Sequence, residues 1–181
     1  MEHTYKNTYK NVTIRPLNVN DIEFLRMWRN DESNTLFLRK LPFITTEMQR
    51  LWFDKYLSNT DEICFAIDET NVLNRIVGSL SLYDFKERQA EFGKILIGDD
   101  EAHGKNIGVN SIIALLYIAF DDLKLDRIIL HVYAENRGAV HIYNKVGFTI
   151  EETHISDNMT EYTMAIKKNS FFEKMEEKEY A

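Results

Sequence analysis

The sequence predicts one α/β domain of the α+β kind, built on a twisted mixed sheet of about seven strands with helices packed against it. Three observations predict it. Short apolar runs with a two-residue period come in pairs beside single stretches with a 3.6-residue period, which argues against a regular barrel of strand–helix units. The chain has 181 residues, enough for a single core that needs neither metal nor disulfide. Unusual backbone is concentrated: all seven glycines lie between Gly78 and Gly147, and both prolines, Pro16 and Pro42, precede them.

The elements follow in order. Residues 12–17 read as a first strand. Asn18 is placed to cap a helix reaching Arg29, with Leu17 and Ile22 as a hydrophobic staple. Thr46 and Gln49 suit a capping box for a second helix, whose positions Met48, Leu51, Trp52 and Tyr56 share one face. Residues 63–67 and 76–83 read as strands joined by a polar turn through Asn71 and Asn74, and residues 91–97 as another. After a polar, glycine-rich connection, Ile112, Ile113, Leu116, Phe120 and Leu123 mark a long helix. Residues 127–133 form a β-branched and aromatic strand. Residues 137–146 form a short helix stopped by Gly147. Residues 148–152 and 161–166 close the sheet. Residues 1–10 read as an N-terminal extension, 11–168 as the domain, and 169–181 as an acidic tail. Phe171, Phe172 and Met175 in that tail suit a short amphipathic helix; a frayed end fits equally.

Composition narrows the function. Lys plus Arg (22) against Asp plus Glu (29) gives −7, a poor match to nucleic-acid phosphates. No apolar run approaches the ~20 residues of a membrane span, and the first residues lack the apolar core of a signal peptide. The expected location is the cytoplasm, with neither membrane nor nucleic acid as partner. Cys64 is the single cysteine, so no internal disulfide forms; its apolar strand makes it a small core residue. His3, His103, His131, His141 and His154 have no metal-ligand spacing, and no metal is expected.

The connection from Gly98 to Gly108 carries chemistry. A strand, a glycine-rich turn and a helix leave backbone N–H groups free at the helix N-terminus, where the dipole favours phosphate. Gly104 and Gly108 admit an anion close to the backbone, and Asn106 tolerates a left-handed conformation. Lys105 adds a point charge and His103 a hydrogen bond. Taken alone, the same pattern describes an ordinary surface turn capping a helix. No Gly-x-x-x-x-Gly-Lys-Ser/Thr loop, Gly-x-Gly-x-x-Gly fingerprint or Gly-x-Ser-x-Gly elbow is present.

Residues 103–108, HGKNIG, resemble the cofactor loop Arg/Gln-x-x-Gly-x-Gly/Ala of the GNAT superfamily of acetyl-CoA-dependent N-acetyltransferases. Residues 136–148, NRGAVHIYNKVGF, match that family's Asn-x-x-Ala-x-x-x-Tyr-x-Lys-x-Gly-Phe block at every specified position. AEFGKILIG (90–98) and TIRPLNVNDIEFL (13–25) are similar to it as well. The resemblance covers residues 12–166, with His103 standing for Arg or Gln and Asn106 for Gly.

The resemblance implies that strands 91–97 and 127–133 splay apart around the pantetheine arm of acetyl-CoA, with no metal. It implies that His103, Gly104, Lys105, Asn106, Ile107, Gly108 and Val109 cradle the pyrophosphate. The backbone of Ile95, Leu96 and Ile97 would pair with pantetheine, and Asn136, Ala139, Tyr143 and Lys145 would complete the cofactor surface. Tyr143 matches the family's tyrosine that protonates the leaving thiolate; its other reading is an amphipathic helix anchor.

A primary amine has a pKa near ~10 and must lose a proton before attacking a thioester. Glu91 is the candidate base, at the same parity as Gly93, Ile95 and Ile97; its other reading is a solvated edge charge. A backbone N–H near Leu96 or Ile97 would hold the oxyanion.

For the acceptor, WRND (28–31) and ITTEMQRLWFDKYLSN (44–59) resemble a branch that acetylates nucleotide-linked amino sugars; ribosomal-protein, N-terminal and polyamine acetyltransferases share the layout. Trp28, Arg29 and Asn30, with Glu91, are the candidate acceptor residues. Arg29, Asn30 and Arg39 suit phosphates, and Trp28 and Trp52 suit a ring. The expected acceptor is a small-molecule amine, amino sugar first. A polyamine, which the acidic charge favours, follows, then a protein N-terminus. A non-catalytic acetyl-CoA-binding module and a plain interaction domain are the readings outside catalysis. Tyr- and Phe-rich edges permit a homodimer.

Overall fold

The computed structural model describes residues 2–37 and 42–179. Its strands are β1 (Asn7–Tyr9), β2 (Val12–Pro16), β3 (Glu62–Glu69), β4 (Arg75–Lys86), β5 (Gln89–Ile97), β6 (Arg127–Tyr133), β7 (Thr149–Ser156) and β8 (Met159–Lys167). They form one eight-stranded sheet in the order β1-β2-β3-β4-β5-β6-β8-β7. Every neighbouring pair is antiparallel except β5 and β6. The helices are α1 (Ile22–Asn30), α2 (Thr46–Ser58), α3 (Ile107–Tyr117), α4 (Arg137–Val146) and α5 (Lys168–Glu179). None of them is long and apolar enough to cross a membrane.

The strand beyond the expected seven comes from the N-terminal segment. Lys10 turns with φ +54°, and Asn7–Tyr9 pairs back onto Val12–Ile14. At the other end the acidic tail docks as α5. Phe171 is fully buried against Tyr117 and Phe120, and the Lys168 ammonium donates to the Phe120 carbonyl at 2.9 Å.

The sheet has a core on each face. Ile14, Phe65, Leu80, Phe92, Ile128 and Leu130 pack one face with α3, α4 and α5. Cys64, Ala66 and Ile76 pack the other with Leu25 of α1 and Phe53 and Tyr56 of α2.

Both early helices differ from expectation at their starts. Asn18 does not cap α1: its backbone N–H donates to Asp21, whose carboxylate also pairs with Arg15 at 2.7 Å. That ion pair, extended to Asp68, fixes the α1 entrance, with Leu17 and Ile22 buried beside it as expected of a staple. The cap of α2 is Thr45, whose hydroxyl accepts from the Met48 N–H, so Gln49 faces inward. The buried stripe is Gln49, Phe53 and Tyr56, while Met48, Leu51 and Trp52 are exposed. The helix is apolar on two sides, and the side with Phe53 reaches the sheet.

Candidate active site

The site begins where the sheet opens. The parallel pairing of β5 and β6 runs only through Gln89–Arg127, Ala90–Ile128 and Glu91–Ile129. Beyond Glu91 the two strands separate, as the family resemblance implied. A β-bulge follows at once: Ser81 pairs with Gly93 and Ser79 with Leu96, and Lys94 takes a left-handed φ of +53°.

The bulge overturns one expectation. Alternation placed Glu91, Gly93, Ile95 and Ile97 on one face. The extra residue at Lys94 flips the parity, so Ile95 and Ile97 pack against the α3 core while Leu96 and Lys94 line the α1–α2 face. Glu91 remains on the α1–α2 face, where the Tyr83 hydroxyl donates to it at 2.7 Å. Burial, and then the Glu91 carboxylate, push the Tyr83 phenol above its ordinary range. Tyr83 also excludes a side chain at Gly93, where a Cβ would lie 2.5 Å from its hydroxyl.

At the far end of the opening lies a groove of about 290 Å³. Of the expected cofactor residues, Ile97, His103, Gly104, Asn106, Ile107, Gly108, Val109 and Lys145 line it. Asn106 (φ +57°) and Gly104 (φ +75°) both adopt the left-handed backbone that the turn requires. The first turn of α3 leaves N–H groups without helical acceptors there. Lys145 donates to Asn106 Oδ1 at 3.3 Å, so a cation from α4 closes over the loop. Lys105 turns back to the Glu101 carbonyl at 2.6 Å, and His103 Nε2 donates to the Ile97 carbonyl at 3.1 Å. Asn136 spends its side-chain oxygen capping α4 through the Ala139 N–H at 3.2 Å. Sequence reasoning missed Ala102, His141 and Ile142 as lining residues. His141 and Ile142 share the matched α4 block, and their positions carry no signature of their own.

Tyr143 packs edge-on against Phe92, the neighbour of Glu91, with ring centroids 5.9 Å apart. Burial pushes its phenol up to about 12, so it holds its proton at neutral pH.

On the α1–α2 face a pocket of about 510 Å³ opens between the helices and strands β3, β4 and β5. Leu25, Ile44, Met48, Trp52 and Leu96 make its apolar wall; Arg29, Gln49, Glu62, Ser79, Ser81 and Lys94 are polar. Glu62 and Lys94 are paired at 2.6 Å. Cys64 also borders it, with burial lifting its thiol to about 12, so it stays an inert core residue.

Of the expected acceptor residues, Arg29 alone lines this pocket. Trp28 stacks over the Gly98 backbone, where a Cβ would come within 2.1 Å of the indole. Asn30 clips Ile44, donating to its carbonyl at 2.9 Å and accepting from its N–H at 2.8 Å. Both serve to position α1. Arg39 lies outside the described residues.

The histidines hold a further surprise. Residues far apart in sequence meet across β6, β7 and β8, where one ligand atom each from His131, His154 and Glu161 lies within 4.8 Å of the others. Sequence spacing hides this, because strand pairing and not local separation makes the contact.

Residues 11–149 match the family described as Acetyltransferase (GNAT) domain. The chain is 28% identical over 146 residues to the spermidine N(1)-acetyltransferase of Vibrio cholerae, covering 80% of this chain and 82% of that protein. It is 27% identical over 141 residues to the Escherichia coli spermidine N(1)-acetyltransferase, covering 77% and 74%. The solved structure of the Vibrio cholerae enzyme with CoA and spermine superposes with a TM-score of 0.80 at 24% identity, over 90% of this chain and 98% of that one. A family match through the opened strands, the loop and α4, on a sheet of the same fold, makes the chain a member of the GNAT family, an acetyl-CoA-dependent N-acetyltransferase.

Proposed function

We propose that the chain transfers acetyl from acetyl-CoA to a primary amine of a small molecule by direct attack, with a spermidine-class polyamine as acceptor. The observation that carries the reaction is Glu91, held by Tyr83 at the last pair before β5 and β6 part. Glu91 takes the ammonium proton, directly or through water. The amine nitrogen then bonds the thioester carbonyl carbon, collapse of the tetrahedral intermediate breaks the C–S bond, and the nitrogen's second proton leaves through solvent, which restores the proton Tyr143 gives up. A backbone N–H near Leu96 or Ile97 holds the oxyanion, and Tyr143 donates to the departing sulfur. The groove from His103 to Val109, with Lys145, takes the pyrophosphate.

The named relatives support the polyamine, as does the net charge of −7. One observation favours the amino sugar instead: Arg29 and Lys94 border the acceptor pocket, and Arg suits an anionic or hydroxyl-rich group. Steady-state kinetics with spermidine, spermine and a nucleotide-linked amino sugar decide between them. We expect the highest kcat/KM for spermidine, and a higher value for the amino sugar overturns that ranking. A dodecameric structure of the Vibrio cholerae enzyme supports self-association here too, which sedimentation would measure.

A further inference from the structure

We propose that His131, His154 and Glu161 bind a zinc-class divalent cation, and that a cation held there inhibits acetyl transfer. The inhibitory half rests on Glu91 being the base; the site itself does not.

The three residues come from adjacent strands of a rigid sheet. His154 and Glu161 are cross-strand partners on β7 and β8, and His131 on β6 is opposite Thr163 of β8. One imidazole nitrogen or carboxylate oxygen from each lies within 4.8 Å of the other two. Ligands of a tetrahedral zinc sit at ~2.0–2.2 Å from the metal, so these must close by roughly an ångström. The two imidazoles are exposed (36% and 42%) and Glu161 is partly exposed (18%), so small side-chain rotations of His154 and Glu161 are the movements required.

The donor set selects the metal. Two imidazoles and one carboxylate suit zinc and its first-row neighbours, whereas magnesium and calcium prefer oxygen alone. The surroundings resemble the outer shell of a metal centre. Thr163 Oγ1 holds His131 Nδ1 at 3.2 Å, fixing the ring. His154 Nε2 already sits 2.7 Å from Glu161 Oε2, a contact the cation would replace from between them.

Position gives the consequence. His131 Nε2 is 3.9 Å from Glu91 Oε2. A cation on His131 therefore stands next to the carboxylate that must accept the amine proton. Its positive charge repels an ammonium substrate approaching that carboxylate, and the cation occupies space the amine must cross.

The test uses untagged protein, stripped with chelator. Titration with zinc chloride by calorimetry is expected to show one site of micromolar affinity, weakened at least tenfold in His154→Ala and Glu161→Gln. Cobalt(II) substitution is expected to give visible absorption bands of a four- or five-coordinate centre, absent in both variants. Unchanged zinc affinity in the variants, or no binding below about 100 μM, overturns the site whatever the acetyltransferase assay shows. In that assay zinc is expected to inhibit the intact protein, while His154→Ala keeps its zinc-free rate and resists inhibition. Full activity with zinc bound overturns the link to Glu91.

Discussion

The Tyr83 hydroxyl donates to Glu91 across β4 and β5 at 2.7 Å, just where β5 loses its pairing with β6. That bond engages one carboxylate oxygen, while the other, Oε2, lies 3.9 Å from His131 Nε2. Glu91→Gln is expected to lower kcat by roughly 10²–10⁴-fold, the usual span for losing a general base. Tyr83→Phe keeps the carboxylate but releases it, so a smaller loss is expected. Steady-state kinetics with calorimetric acetyl-CoA binding check this, and the cofactor affinity of both variants is expected to stay unchanged.

Tyr143→Phe keeps the ring packing against Phe92 and Phe148 and removes only the hydroxyl. The fold and cofactor affinity are expected to survive, with kcat reduced roughly 10²-fold. A phenol near 12 holds its proton across the working range, so no alkaline limb of the pH–rate profile is expected from this group below pH 10. A Tyr143→Phe variant that keeps the wild-type kcat would falsify the acid assignment.

The fate of α5 tests whether residues 168–179 belong to the domain. Phe171→Ala removes a fully buried ring and is expected to cost about 3–5 kcal/mol. Truncation before Lys168 is expected to destabilise by at least as much. Chemical denaturation would show it, and an unchanged midpoint would mark the tail as an appendage.

Glu69 makes stability depend on pH. Burial alone would raise its carboxyl, but the N–H groups of Leu73, Val72 and Asn71 and the side chain of Asn11 outweigh that and hold it below the ordinary value. A depressed carboxyl stabilises the fold above its unfolded pKa of ~4.3 and loses that contribution as pH falls through the folded value. Glu69→Gln is expected to lose about 2 kcal/mol at pH 7. The gap from wild type should close in acid, as melting curves across pH would reveal.

What could be read from sequence divides along one physical line. Local patterns were legible: strand β6 and helix α4 fall at 127–133 and 137–146 as expected, and Gly147 ends α4 with φ +124°. The loop and the α4 block could be matched to a family pattern because both are contiguous. Long-range register was not legible. A two-residue turn at Glu87–Arg88 would set Tyr83 opposite Phe92, but an irregularity between Tyr83 and Lys86 moves it to Glu91. The bulge at Lys94 needs φ +53° from a residue that signals no turn. Trp28 and Asn30 looked like ligand groups by type, yet their partners, Gly98 and Ile44, lie 70 and 14 positions away. The trio of His131, His154 and Glu161 exists only once β8 inserts between β6 and β7.

The short β5–β6 seam has a mechanical meaning. It splits the sheet into a five-strand panel and a three-strand panel, stitched by three residue pairs at one end. A cofactor arm seated there, as the proposed function has it, would act as a splint between the panels. Resistance to unfolding then depends on how much cofactor is in solution: an affinity a hundredfold below the ambient concentration adds about 2.7 kcal/mol. On that seating, the protein's durability rises with the cofactor concentration around it, through the short seam its own sheet leaves.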